Sequence, residues 1–492
     1  MENDQINQGV VTLLMRWFAW GRQSVKSLKA KCMSDLENKG TVNHGPSHGR
    51  VRSPSPWGSP ARLLTMMLIG LLGYLNYLYV WETTPSLAYQ DFVGLRNFIE
   101  ASTQKTHSFS DFFAVQNGVF KNPALFWVLD MDVRHVGFDQ RYELYFYLSF
   151  KVLTAVILVF AIWRAYPSAG PMALVPTLPL FSIGQWENLV LSVGGYFFAP
   201  VCAIIAFQQF GAIKAQSGYG AWLWYIGLFL AWCLAFLFFT ASYTVPAALA
   251  LICVFMVDLI HRRNVSIVPP VLAGVGLILY LFFPRINAGA GGLRIEHWEQ
   301  VVTVCHFFVV NVGACYMHSE QGLSLASVTW IGACALIVNV GTVYYLARKG
   351  DRLSQLYLFL LVFSLFTSAV ISLGRFHFGP AYALASRYTT VTCLSQVSLL
   401  IVAIGMVSRL GAQRLIALAG VFVFAISLYF ANRRELAIQP ARRAIYRDIA
   451  NGVRDRCRDD AFLRAFQADN VNDVPKYLDM IERHHLSVFK DN

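Results

Sequence analysis

Apolar runs of about 18 residues or more recur along this chain from residue 62 to residue 430. Each is long enough to carry a helix across a bilayer, where the backbone must satisfy its own hydrogen bonds. The runs are continuous rather than alternating, which excludes an outer-membrane barrel. Composition agrees. Of 492 residues, 56% are apolar and only 14% are charged, against about 25% charged in a soluble domain. Mean hydropathy is +0.48. A soluble enzyme, a nucleic-acid-binding domain and a disordered chain are excluded. The expected fold class is all-α: a polytopic helical membrane protein with about eleven spans plus one re-entrant helix.

Spans are expected near 62–81, 144–163, 169–183, 189–210, 220–241, 243–260, 267–284, 325–347, 354–373, 389–409 and 413–430. The third is interrupted by Pro171, Pro176 and Pro179, so it is kinked or broken. Residues 1–61 form a polar extension in which 10–20 suits an interfacial helix and 40–60 a flexible linker, with no cleavable signal peptide expected. Residues 431–492 form a soluble helical tail with twelve basic and ten acidic residues.

The net charge of +12 sits mostly in loops, where it sets orientation and meets headgroups, so no nucleic-acid partner is implied. The positive-inside rule places the N-terminus, Arg164, His261–Arg263 and 347–352 on the cytoplasmic side. Loop 82–142, with seven acidic and five basic residues, then lies outside. Keeping 261–263 and 347–352 on one side requires that 300–317 enter the membrane and return. The tail then emerges outside, against the vote of Arg433, Arg434, Arg442 and Arg443. The nine cysteines show neither a disulfide framework nor zinc spacing.

Ionisable residues at membrane depth are costly and therefore informative. Lys151 lies inside the second span, either snorkelling to the headgroups or facing a phosphate or carboxylate in a cavity. In the first loop, Asp130 and Asp132 form an Asp-x-Asp pair, either a solvated loop or the seat of a divalent cation (Mg or Mn), the one cofactor suggested. Gln185, Glu187 and Asn188 in FSIGQWENL (181–189) read as a polar helix cap or as a site at the outer mouth of the bundle. Arg375, His377 and Arg387 flank a Gly-Pro break in LGRFHFGPAYALASRY (373–388). Their two guanidinium forks are headgroup anchors or a phosphate site.

Asp91 shortly after the first span, the QWEN element and the GRFHFGPAYALASRY element together resemble bacterial GT-C-type membrane glycosyltransferases, in a poorly characterised subgroup. The resemblance spans roughly residues 62–489, with QNGVFKN (116–122) departing from the charged first-loop element of related chains. It implies a GT-C architecture, a polyprenyl-phosphate sugar donor, and Asp91 as general base. The expected function is transfer of a sugar to a cell-surface glycan or lipid acceptor at the outer face of the bacterial cytoplasmic membrane. Arg375 and Arg387, with Lys151, would hold the departing phosphate, Glu187 would orient the acceptor or assist the base, and His377, Gln185 and Asn188 would bind substrate. The alternatives are a polymerase or ligase of lipid-linked polysaccharide and a non-enzymatic transporter or flippase.

Overall fold

The computed structural model describes residues 60–87, 90–113, 123–190, 202, 241–261, 271, 274–275, 278, 295–317, 324–349, 352–407, 412–467 and 471–489. The chain divides into Met1–Gly58 and Ser59–Asn492. The first unit lies outside the described residues, as do the expected spans at 189–210, 220–241 and 267–284, a few isolated positions aside.

The second unit is built of helices: α1 (Pro60–Thr83), α2 (Arg96–Gln104), α3 (Pro123–His135), α4 (Gln140–Ala165), α5 (Trp186–Val190), α6 (Ala241–Ile260), α7 (Trp298–Met317), α8 (Leu325–Lys349), α9 (Arg352–Arg375), α10 (Ser386–Val407), α11 (Ala412–Arg454), α12 (Asp460–Phe466) and α13 (Val474–Arg483). Among the described residues, seven helices are long and apolar enough to cross a membrane. They are α1, α4, α7, α8, α11 and the apolar stretches of α9 and α10. The chain is a polytopic helical membrane protein.

The expected third span is corrected. Pro167–Phe181 folds as a run of 3-10 turns, with Gly170 at φ 51° breaking it. Pro171, Pro176 and Pro179 lack the amide hydrogens that a spanning α-helix needs, and their rings clash with the preceding turn. The segment packs instead between α1, α4 and α10. Its carbonyls serve as acceptors: Trp163 Nε1 donates to the Gly170 oxygen at 2.9 Å.

The region 300–317 is a continuous 20-residue helix, α7. Gly313 and Gly332 let α7 and α8 touch backbone to backbone, since a Cβ on either would run into a carbonyl of the other helix. Small residues permit such approach in membranes. His306 meets Thr329 at 3.0 Å, and ten residues further along each helix Tyr316 meets Asn339 at 3.4 Å. The two consecutive helices therefore run in the same direction.

The packed interior has two main parts. One lies among the membrane helices and gathers Leu158, Ile162, Leu251, Phe359, Phe363, Leu394 and Val397. The other joins the first loop to the tail: Leu87, Phe92, Ile99, Phe126, Leu129 and Phe138 pack with Val453, Phe466, Tyr477, Leu478 and Ile481. Helix α11 makes this possible. Its 43 residues span about 64 Å, twice the bilayer core of about 30 Å, so its apolar first half is followed by a polar half that leaves the membrane. The tail's end closes the contact, as Ser487 donates from its amide to the Gly137 oxygen at 2.7 Å and from its hydroxyl to the Ser86 oxygen at 3.1 Å. The described parts of loop 82–142 and of the tail thus share one core and form one cap.

Candidate functional site

Lys151 is 1% exposed, eleven residues into α4. It does not snorkel. Its Nζ donates to Asn76 Oδ1 at 2.7 Å, and the Asn76 amide is aimed by donating to the carbonyls of Phe181 at 3.1 Å and Leu72 at 3.3 Å. The ammonium also stands 6.0 Å from the centre of the Phe181 ring. The end of the proline-rich segment thus supplies the carbonyl that aims Asn76 and the ring near the cation.

The same segment runs into the QWEN element. Ser182 caps the next turn by accepting from the Gly184 amide at 3.2 Å. Gln185 is fully buried; its Nε2 donates to the Pro179 oxygen at 2.8 Å, and its Oε1 accepts from the Thr390 hydroxyl at 3.0 Å. Cys393 Sγ stands 3.8 Å from the same Nε2, and lies within electrostatic reach of Lys151. Asn188 donates to Thr390 Oγ1. Ser386 accepts from the Glu187 amide at 3.1 Å and donates to Glu187 Oε2 at 3.1 Å. Two elements 199 residues apart are therefore one polar unit. Ser386 and Thr390, four residues apart, project from one face of α10.

α11 braces this unit from the cap side. Arg442 lies over Trp186, its Cζ 3.3 Å from the ring centre, and its Nε reaches Glu435 Oε1 at 3.0 Å. Glu435 also accepts from the Tyr79 hydroxyl at 2.9 Å. Asn432 Oδ1 accepts from the Ile183 amide at 2.8 Å. An arginine on a tryptophan face gains both stacking and cation–π attraction. In the sequence Arg442 reads only as a sign of orientation. Asn76, Ser386, Thr390 and Cys393 do not stand out there, although the four-residue spacing of the two hydroxyls is a visible signal.

The remaining expected residues do not join this unit in the described contacts. Arg375 ends α9, its guanidinium 5.7 Å from the centre of the Phe378 ring, and His377 packs on Phe378 at 4.1 Å. The break that follows is real: Gly379 has φ 85°, a conformation that side chains disfavour, and Pro380 opens a new 3-10 turn. Arg387 is the second residue of α10 and Asp91 the second of a 3-10 turn, Gln90–Leu95, in the cap. The side chains of both lie outside the described residues.

Asp130 and Asp132 do not form the expected pair. They sit on α3, where residues two apart face away from each other. Asp130 takes Arg134 Nε at 2.7 Å and His107 Nε2 at 3.4 Å. Asp132 is fully buried and accepts from the Asp139 amide at 3.1 Å, fastening the turn between α3 and α4. These partners leave the two carboxylates no shared face for a divalent cation. Among the described residues no group of three or more His, Cys, Asp or Glu is placed to hold a metal. Comparison of the chain with family models and with curated proteins gives no match.

Proposed function

We propose that the chain is a membrane glycosyltransferase that moves a sugar from a polyprenyl-phosphate donor to a glycan or lipid acceptor, at the cap face of a bacterial cytoplasmic membrane. The observation that carries this reading is the polar unit at the junction of bilayer and cap. There two carboxamides and a carboxylate bond hydroxyls on α10, and a buried lysine lies deeper, on Asn76 of α1. A donor whose phosphate sits at the headgroup layer meets such a junction without leaving the bilayer.

In this reading the cap face is the outer face. Asp91, on the cap, removes the acceptor proton; the acceptor oxygen attacks the sugar C1, and the polyprenyl phosphate departs. Arg375 and Arg387, with His377, hold the leaving phosphate, and Lys151 supplies positive charge from below. Donors placed where charge develops contribute most in a water-poor site. Glu187, held by Ser386, orients the acceptor. The parallel course of α7 and α8 supports the re-entrant reading of 300–317. In this reading 261–263 and 347–352 lie on the face opposite the cap.

The test is sugar transfer by the purified chain in proteoliposomes, with a labelled polyprenyl-phosphate sugar as donor. Asp91→Asn is expected to lower turnover about 10²–10⁴-fold while expression and thermal midpoint stay at parent level. Arg387→Lys should restore only part of the donor use lost in Arg387→Ala, because an ammonium lacks the fork. Unaltered turnover in Asp91→Asn removes the base role. A second reading, a transporter or flippase, draws on the depth of Lys151. It is favoured over transfer if labelled lipid-linked sugar crosses the bilayer in proteoliposomes with no product formed.

A further inference from the structure

Where α1 ends and α11 leaves the bilayer, a groove of about 290 Å³ is lined by Glu82, Gln439, Pro440, Arg443, Ala444 and Arg447. Its walls are fixed to each other, because Gln439 Nε2 donates to Thr83 Oγ1 at 2.9 Å. Arg443 and Arg447 lie one turn apart on the same face of α11, and both are exposed. Glu82 is exposed at the end of α1. Among the described residues none of these three charges forms an ion pair, in contrast to the adjacent Arg442, which is taken up by Glu435 and Trp186.

The groove stands at headgroup depth. Trp81, the residue before Glu82, is 51% exposed, and Leu436, one turn before Pro440 on the groove face of α11, is 53% exposed. Tryptophan at the end of an apolar span marks the membrane interface. Outward apolar side chains beside a charged groove suit a ligand with a polar head and hydrocarbon tails. Two guanidinium groups facing a carboxylate ask more of that head: it must carry an anion and a cation together.

We propose that this groove binds the phosphoethanolamine headgroup of a bilayer lipid. The phosphate oxygens accept from Arg443 and Arg447, and the primary ammonium donates to Glu82. Choline bears the same two charges, but its quaternary nitrogen has no hydrogen to donate. A glycerol headgroup has the phosphate and no cation, and it leaves Glu82 facing an anion. The groove therefore selects ethanolamine over both. This assignment stands apart from any transfer chemistry.

The experiment uses the full chain, purified in detergent and mixed with equal amounts of dioleoyl-phosphatidylethanolamine, -choline and -glycerol. Retained lipid is counted by native mass spectrometry. The parent should keep the ethanolamine lipid about tenfold over each of the others, the factor that one charge-assisted hydrogen bond supplies. Glu82→Gln should erase that preference, and Arg443→Gln with Arg447→Gln should reduce all three lipids to background. Equal retention of the three by the parent overturns the proposal. So does a dominant glycerol lipid, which marks a plain anion patch, or an ethanolamine preference that survives Glu82→Gln. All three residues are exposed, so the variants should keep the parent's thermal midpoint. If one does not, the comparison of lipids on the parent still decides.

Discussion

Replacing Lys151 with methionine separates what the buried charge does for stability from what it does for function. The substitution keeps the length of the side chain and removes the ammonium. On the debit side, Asn76 Oδ1 loses the donor that stood 2.7 Å away, and a buried acceptor left without a partner costs about 1–3 kcal/mol. On the other side, an ion that cost several kcal/mol to bury is gone, and apolar replacement of buried ions is often neutral or stabilising by about 1–4 kcal/mol. The two effects are of similar size, so Lys151→Met should unfold within a few degrees of the parent. Lys151→Met with Asn76→Leu removes the stranded acceptor but takes the donor from the Phe181 carbonyl, so it too should unfold within a few degrees of the parent. Both variants should lose sugar transfer. Thermal unfolding in detergent, followed by tryptophan fluorescence, reads the first quantity and transfer in proteoliposomes the second. A variant that is both stable and fully active refutes the functional role of the lysine. A large loss of stability in the double variant refutes the balance drawn here and makes Lys151 a packing residue.

Glu187→Gln and Ser386→Ala, taken singly and together, should show a coupling of about 1 kcal/mol or more in a double-mutant cycle on stability, because the serine bonds both the amide and the carboxylate of Glu187; strict additivity would mean that the contact is absent. Lys105→Cys and Arg454→Cys, in a cysteine-free background, should be labelled from the same side of the membrane and Lys349→Cys from the other, since loop and tail share a core; labelling of 105 and 454 from opposite sides would break the cap. Burial, with Glu143 nearby, pushes the Tyr477 phenol well above its ordinary value. An acid whose folded pKa is raised stabilises the fold fully below the unfolded value, near 10, and that stability is lost as pH rises above it. The cap should therefore loosen above about pH 10, and Tyr477→Phe should move the alkaline unfolding midpoint upward; an unchanged midpoint would free Tyr477 from that role.

The legible part of this molecule was the part written in long apolar runs. Six of the seven helices able to span stand where the runs predict them, because a run of that length has no other way to satisfy its backbone in lipid. The seventh, α7, falls on the stretch expected to enter the membrane and return. The third expected span failed for an equally physical reason. Hydropathy counts Pro171, Pro176 and Pro179 as neutral members of an apolar stretch, whereas each removes a helical hydrogen bond. The joining of loop and tail was not legible either. Phe92 and Phe138 lie in short, mixed segments without periodicity, whereas Leu478 and Ile481 mark an apolar face on 477–489 that suits docking on the membrane and in the fold is covered by the first loop.

The candidate site divides along a different line. A charge-first reading finds Lys151, Glu187 and Arg375, because charge near lipid is costly and thus conspicuous. What holds the unit together is mostly neutral: Asn76, Gln185, Asn188, Ser386 and Thr390. In a low-dielectric interior an amide or hydroxyl with a good partner costs far less to bury than an ion, so a membrane bundle builds its polar frame from such groups and reserves charge for few positions. Arg442 shows the converse. Counted by its charge, it argues about which side of the membrane the tail occupies. In the fold its guanidinium lies on Trp186 and against Glu435, and it couples the cap's long helix to the element that carries Gln185, Glu187 and Asn188. Loosening α11 should therefore disturb the polar unit before it disturbs the membrane helices, since the described contacts that brace the QWEN element from the cap side come from Asn432 and Arg442 on α11.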